Sequence, residues 1–281
     1  MDSKEFGLVA AQQLFQIEDL HYGFWDLDEE INLSNWKVAQ ERHTEFLFNY
    51  IKSNIDSKES SKILDIGCGV GVTTSKLLKM GYKVDGLVPY PWMAEYSKNI
   101  TKQYKTDNSG KIYECMYEDF PTDNLNQKYK LLFFSESYQY VDMRLSFDVT
   151  DKIIEDNGFV LIFDFFKKDN VDGKSPLGGG HSLSEFYNIV KEYGYSIIED
   201  IDVTKNMSPN MEIVNDVIVE RLIPFTNTLD KFLSARHSRI YNLIKWLGRK
   251  RIDKMKFKYS ADRNAENFEK YKSYRLILLK K

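Results

Sequence analysis

The chain has 281 residues, 42% of them hydrophobic, enough for one substantial core with an accessory element but hardly for two full domains. A net charge of -3 gives no global basis for nucleic-acid binding, and two cysteines without zinc spacing, Cys68 and Cys115, suit a reducing compartment. No apolar run reaches membrane-spanning length and Met1 to Glu5 is polar rather than signal-like, so the expectation is a soluble cytoplasmic protein.

A partly apolar stretch, Phe6 to Leu20, reads as a helix and leads into His21-Tyr22-Gly23-Phe24-Trp25-Asp26. Ring-bearing side chains crowded around one glycine are costly in water, so this segment either packs onto the domain or roofs a pocket. Asn32 to Ile55 follows as a long helix, with Trp36, Ala39, His43, Phe46, Leu47 and Tyr50 at roughly helical spacing.

Lys62-Ile63-Leu64-Asp65-Ile66-Gly67-Cys68-Gly69-Val70-Gly71 then runs from a buried parallel strand into three alternating glycines, and Val72 to Met80 reads as a helix. Strand, glycine turn and helix N-terminus form a nucleotide-type cradle at the carboxyl edge of a sheet. The G-x-G-x-x-G spacing of dinucleotide folds is missed, because the third glycine comes one residue early and Val72 stands in its place. Asp65 inside the turn sits badly beside a diphosphate and suits a cationic amino group.

D-x-G-x-G-x-G, Asp65 to Gly71, resembles the first motif of class I S-adenosylmethionine-dependent methyltransferases. The resemblance implies that Asp65, Gly67, Cys68, Gly69 and Gly71 cradle the methionine and ribose part of S-adenosylmethionine. His-Tyr-Gly-Phe-Trp-Asp is similar to the lid segment of small-molecule methyltransferases of the tocopherol and glycine/sarcosine type, which implies that Tyr22 lies near cofactor or substrate.

Lys83 to Leu87 is the second strand. Where the family places an acid for the ribose hydroxyls this chain has Val88, and Asp85 lies too early, on the opposite face. Branches resembling the cyclopropane synthases and tocopherol enzymes also lack this acid, which implies that Val88, Pro89 and Met93 line the ribose and adenine side. The other explanation is that cofactor affinity has been lost or changed.

Pro91 to Lys105 reads as a helix and Lys111 to Met116 as the third strand, after which the resemblance implies that Glu118 or Asp119 accepts from the adenine amine and Tyr117 stacks beside the ring, against the alternative of a solvated loop. Lys130 to Phe134 is the fourth strand, opening into Ser135-Glu136-Ser137-Tyr138-Gln139-Tyr140 at the point where strand order reverses. Ser135 and Glu136 are candidates for the methionine end, and Gln139 and Tyr140 for contact near the methyl group. Asp142 to Asp156 gives a helix and Gly158 to Phe163 a fifth strand, followed by Asp164. Three glycines, Gly178 to Gly180, precede His181 and a helix from Ser182 to Tyr193. Imidazole is the usual proton acceptor near neutrality, which makes His181 the first candidate for general base, against the alternative of a loop histidine capping the next helix.

Tyr195 to Ile201 is the sixth strand and Ser273 to Leu279 the seventh. Between them lies a mostly helical insertion, Thr204 to Lys272, with an apolar stripe (Leu233, Ile240, Leu243, Ile244, Leu247) and a basic run from Arg236 to Lys258. A solvated face, a substrate lid, an anionic site and a shallow membrane contact are all open to it.

The expectation is therefore an α/β, Rossmann-like seven-stranded sheet with the last strand antiparallel. Residues 1–56 form an N-terminal helical lid, 57–203 and 273–281 the core, and 204–272 a cap. The activity implied by the resemblance is methyl transfer from S-adenosylmethionine to a small organic or lipid-like acceptor, leaving S-adenosylhomocysteine. His181, Glu136 and Tyr140 are the catalytic candidates, and Trp25, Tyr138, Gln139 and Asp164 the substrate candidates. No metal site and no nucleic acid are expected, and the chain reads as a monomer or homodimer. The alternative is a methyltransferase fold doing cyclisation or ligand sensing.

Overall fold

Seven strands pair into one sheet: β1 (Lys62–Ile66), β2 (Lys83–Leu87), β3 (Ile112–Tyr113), β4 (Tyr129–Ser135), β5 (Ile154–Lys167), β6 (Ser196–Asp202) and β7 (Lys272–Lys280). The computed structural model that shows this describes residues 3–15, 17–18, 21–55, 61–106, 109–123, 125, 127–236 and 262–281. Strand order is β3-β2-β1-β4-β5-β7-β6. β1 lies parallel to β2 and β4, β4 lies parallel to β5, and β7 alone runs antiparallel, between β5 and β6. Order reverses between β1 and β4, so a crevice opens beyond their carboxyl ends.

Strand periodicity sorts the core into two layers. Leu64, Ile66, Leu132, Phe134, Val160 and Ile162 face α5 (Met143–Ile153) and α6 (Leu183–Glu192), which bring Phe147, Phe186 and Ile189. The alternate residues Ile63, Leu131, Phe133, Leu161 and Phe163 face α2 (Leu33–Asn54) and α3 (Val72–Lys79), with Leu47, Ile51 and Leu77. Strands covered on both sides read as continuous apolar runs, and each large side chain removed from water contributes about 1.5–3 kcal/mol.

Several boundaries differ from expectation for local reasons. The first helix, α1 (Ser3–Phe15), stops short of Leu20, and Gln12 turns back to donate to the Glu18 carbonyl. The next helix, α4 (Pro91–Thr101), ends before Lys105 in a 3-10 turn, Lys102–Tyr104. β3 is two residues long because only Gly86 and Leu87 of β2 pair with it, and β2 runs out at Val88-Pro89, where proline has no N–H to donate. β5 starts at Ile154 instead of Gly158: Asn157 adopts φ 61 and the pairing slips between Tyr129 and Leu131, so the helix before it cannot run on to Asp156.

The insertion begins as part of the core. α7 (Thr204–Met207) and α8 (Asn210–Asn215) send Met207 and Met211 into the layer under α2, together with Phe268 from α10 (Ala265–Tyr271). A π-helical stretch, Asp216–Leu222, leads into α9 (Ile223–Arg236). The predicted apolar positions Ile240 to Leu247 and the basic residues Arg239 to Lys258 lie outside the described residues.

Candidate functional site

Each glycine after β1 does a different job. Gly67, Gly69 and Gly71 all have φ between 57° and 85°, where a Cβ is strained. A Cβ on Gly67 would come within 2.3 Å of Ser137 Cβ, and one on Gly71 within 2.3 Å of Ser97 Oγ. These two close the turn against β4 and α4. A Cβ on Gly69 would meet nothing within 4 Å, so this peptide borders open space. Ser137 tightens the turn by donating its hydroxyl to the Ile66 carbonyl.

Asp65 shares a face with Ile63 and so points at α3, where it accepts from the Thr74 hydroxyl at 2.6 Å and is 2% exposed. Cys68 lines the turn beside Ser97, and burial, then Asp65, push its thiol up, so it is no nucleophile. Val88 is buried with Cys68, Ala94 and Ile112, and Met93 packs against this apolar patch, while Pro89 is half-buried. Asp85 takes no part. It accepts from Tyr129 and the Lys111 N–H and pairs with Lys62 at 2.7 Å below the sheet edge. Glu118 accepts from the Asp142 N–H through Oε1, but its buried Oε2 has no hydrogen-bond partner among the described residues.

The segment from His21 to Asp26 is clamped from two sides. Gly23 exchanges hydrogen bonds with the Asn210 side chain, Phe24 N–H donates to Ala39, and Gln40 donates to the His21 carbonyl. A Cβ on Gly23 would lie 2.6 Å from Ala39 Cβ, which is why glycine stands there.

This clamp delivers Tyr22 to the end of β4. Glu136 there has φ 55, a conformation a non-glycine residue holds only when its surroundings impose it. Its carboxylate accepts from the Tyr22 N–H at 3.1 Å and from the Tyr274 hydroxyl of β7 at 2.8 Å. His43 Nε2 lies 3.8 Å away. Burial, then Glu136 and Asp164, hold the Tyr274 phenol well above its usual range, so it stays a donor. Asp164, 1% exposed, accepts from the Gln139 backbone N–H at 3.0 Å, from the Gln139 side chain and from the Phe165 N–H. Burial outweighs these bonds and pushes its carboxyl up to about 7.

The structure thus brings Tyr22, Glu136, Gln139, Asp164 and the glycine turn to one sheet edge, with Ser135 half-buried in the last position of β4 and Tyr140 projecting 74% exposed. Three predicted site residues are corrected. Trp25 is fully buried against Ala39 and Ile213 and donates to Asn210, so it is core and not a substrate wall. Tyr138 packs on Phe134 and Phe186 with its hydroxyl at Ser146. Tyr117 turns edge-on to Phe134 and bonds Thr150, so it stacks in the core instead of beside a ligand. His181 stands apart from Glu136: its Nε2 lies 3.0 Å from the Tyr138 carbonyl, which keeps that nitrogen protonated as a donor.

Two site residues escaped the functional reading. Tyr274 is indistinguishable in sequence from any strand tyrosine. His43 carried a signal, being a polar side chain on an apolar helix face, where burial demands a partner.

The sheet order, the antiparallel seventh strand and the glycine turn at the switch point define the fold of the class I methyltransferases. No family model matches the chain. It is similar to a malonyl-acyl-carrier-protein O-methyltransferase from Ilyobacter polytropus, 34% identical over 93 residues, a match that spans 32% of each chain. Among solved structures, a protein described as a sarcosine dimethylglycine methyltransferase from Galdieria sulphuraria superposes with a TM-score of 0.69, 16% identity and 97% of both chains covered. Geranyl diphosphate C-methyltransferase from Streptomyces coelicolor A3(2) gives 0.66 at 14% identity, covering 96% of this chain and 92% of that one. The 4+2 cyclase SpnF gives 0.63 at 12% identity, over 93% and 87%. At these identities the likeness to solved structures is one of fold.

Proposed function

We propose that this chain is an S-adenosylmethionine-dependent methyltransferase acting on a small organic acceptor. The observation that carries the reading is the turn at Gly69, open to a ligand where both flanking glycines are closed by serines. The residues fit the cofactor: an acid at Asp65 beside the turn, an apolar patch at Val88 and Met93, and a buried carboxylate oxygen on Glu118 that has no hydrogen-bond partner among the described residues and can accept from the adenine amine. The methyltransferase activities of the malonyl-acyl-carrier-protein and geranyl diphosphate enzymes agree with it.

When bound, the cofactor supplies an electrophilic methyl group on a sulfonium. The protein's part is to align the acceptor, exclude water and take a proton where the nucleophile carries one. Glu136 is the general base, because its carboxylate is held at the switch point by Tyr22 and Tyr274. Gln139, fixed by Asp164, and the projecting Tyr140 border the acceptor side, while His181 braces the Tyr138 turn.

Calorimetric titration with S-adenosylmethionine and S-adenosylhomocysteine tests the reading. Micromolar binding that is lost in Asp65→Ala and Gly69→Val supports it, and no binding to the folded wild type removes it. A second reading, a methyltransferase fold with non-methylating chemistry, is favoured by Val88, a buried valine at the ribose-acid position, and by the cyclase among the structural neighbours. Cofactor binding without product formation across an acceptor screen would support that second reading.

A further inference from the structure

His43 is 2% exposed in the middle of α2, and its Nε2 has no hydrogen-bond partner among the described residues. Native folds rarely leave such an atom unsatisfied. The ring packs between His21, 4.7 Å between centroids, and Phe163 at 4.9 Å. The atom it approaches is Oε1 of Glu136, at 3.8 Å, beyond hydrogen-bond length. Burial, and then His21, keep the imidazole uncharged. The groups facing the pair are His21 from the N-terminal segment, Tyr22 with its backbone N–H on Glu136, and Tyr274 from β7. Asp164, at the end of β5, acts on Tyr22 and Tyr274 through its charge.

With the proton on Nδ1, the neutral ring turns a lone pair toward an ionised carboxylate. Two acceptors then face each other at 3.8 Å with no hydrogen between them. One added proton changes this: a protonated Glu136 can donate to Nε2 and give that atom its hydrogen bond, while Tyr22 and Tyr274 still donate to the carboxyl.

We propose that His43 and Glu136 form a proton-accepting dyad, in which Glu136 removes the proton of the acceptor and His43 stabilises the protonated carboxyl through Nε2. The X–H bond of the acceptor breaks, its electron pair stays on X as the nucleophile, and the proton resides on Glu136, hydrogen-bonded to His43. His43 is thus a positioning residue acting through Glu136. The proposal rests on the methyltransferase reading and narrows it. The acceptor bears a proton to be lost, as a hydroxyl, an amine or an activated carbon does, and is not an already ionised carboxylate.

The test needs no acceptor. In the full-length protein with labelled histidine and glutamate side chains, the imidazole nitrogens of His43 and the carboxyl carbon of Glu136 are followed by NMR from about pH 8 to about pH 4. The expected result is a lone-pair-type Nε2 at high pH that becomes hydrogen-bonded with the same midpoint as the Glu136 carboxyl. Glu136→Gln, which keeps an acceptor for Tyr22 and Tyr274, should abolish that transition. Separate midpoints in the wild type, or an Nε2 protonated throughout, overturn the dyad even if the variant fails to fold. Parallel calorimetry with S-adenosylhomocysteine separates the two claims: binding without a shared midpoint sinks the dyad alone, whereas a shared midpoint without binding sinks the methyltransferase reading.

Discussion

The Tyr274 hydroxyl donates to Glu136 at 2.8 Å, so β7 sets the position of the carboxylate that directly follows β4. This contact exists because β7 inserts next to β5, antiparallel, and pairs Tyr274 with Phe165. The phenol thereby reaches across β5 to the switch point, and the N–H of Tyr22, whose ring centroid lies 6.3 Å from that of Tyr274, completes the grip.

Replacing Glu136 by Gln should therefore leave the fold and the binding of S-adenosylhomocysteine close to wild type, since the amide oxygen still accepts from both donors. Product release, measured with an acceptor returned by a screen, should fall by about 100- to 10,000-fold, the range for loss of a general base. His181→Gln should cost less than about tenfold in the same assay, because that ring serves a backbone carbonyl. A larger loss at His181 than at Glu136 would reverse the assignment.

The three glycines should separate on substitution. Gly67→Ala meets Ser137 Cβ at 2.3 Å and should unfold at lower temperature, by about 2–4 kcal/mol, with Ser137→Gly restoring part of the loss. Gly69→Ala has free space and should cost only about 1 kcal/mol for its left-handed φ, yet weaken S-adenosylhomocysteine at least tenfold. Thermal melts and calorimetry on the same preparations decide between these patterns.

Asp65 and Thr74 make a second contrast. Asp65→Asn keeps an oxygen for the Thr74 hydroxyl but removes the charge, and cofactor affinity should drop by about 10- to 100-fold, as expected for a hydrogen bond to an ionised group. Thr74→Val keeps the charge and should instead lower stability by about 1–3 kcal/mol, because the buried carboxylate loses its donor. Equal effects on affinity in both variants would contradict a direct role for the carboxylate.

Asp164 predicts how stability depends on pH. Its carboxyl titrates near 7 in the folded chain, against an ordinary value of 3.8, so between these pH values the folded state holds a proton that the unfolded chain has released. Its contribution is complete below pH 3.8 and is lost as pH rises through 7, at a total on the order of a few kcal/mol. His43 acts with the opposite sign: its pKa is depressed, so its contribution is full above 6.5 and is lost as pH falls below that value. Denaturant midpoints from about pH 4 to about pH 8 should therefore fall less steeply with rising pH in Asp164→Asn than in wild type. An unchanged slope would show that Asp164 is already ionised in the folded protein.

The glycine motif was legible because everything it needs is local. Ile63, Leu64 and Ile66 demand a buried strand, and the glycines that follow must turn immediately against whatever packs there. The helix α2 announced itself by helical spacing, and in the structure Asn32, Asp142 and Ser182 cap α2, α5 and α6 where the predicted ranges begin. Trp25, Tyr117 and Tyr138 were misread for the converse reason. An aromatic ring near a site motif looks the same in sequence whether it faces a crevice or a core, and here all three point inward to Asn210, Thr150 and Ser146.

From the sequence alone, then, came the fold class, the place of the glycine turn at Asp65 to Gly71 and the candidacy of Glu136, because each depends on residues adjacent in the chain. Tertiary structure alone decided that Glu136 is gripped by Tyr22 and Tyr274, that His43 Nε2 faces it without a hydrogen-bond partner among the described residues, and that His181 Nε2 meets the Tyr138 carbonyl. These contacts join the N-terminal segment, α2, the end of β4 and the last strand. Such distant pieces meet only once the two apolar layers have closed around the sheet, and no local pattern encodes the register in which they do so.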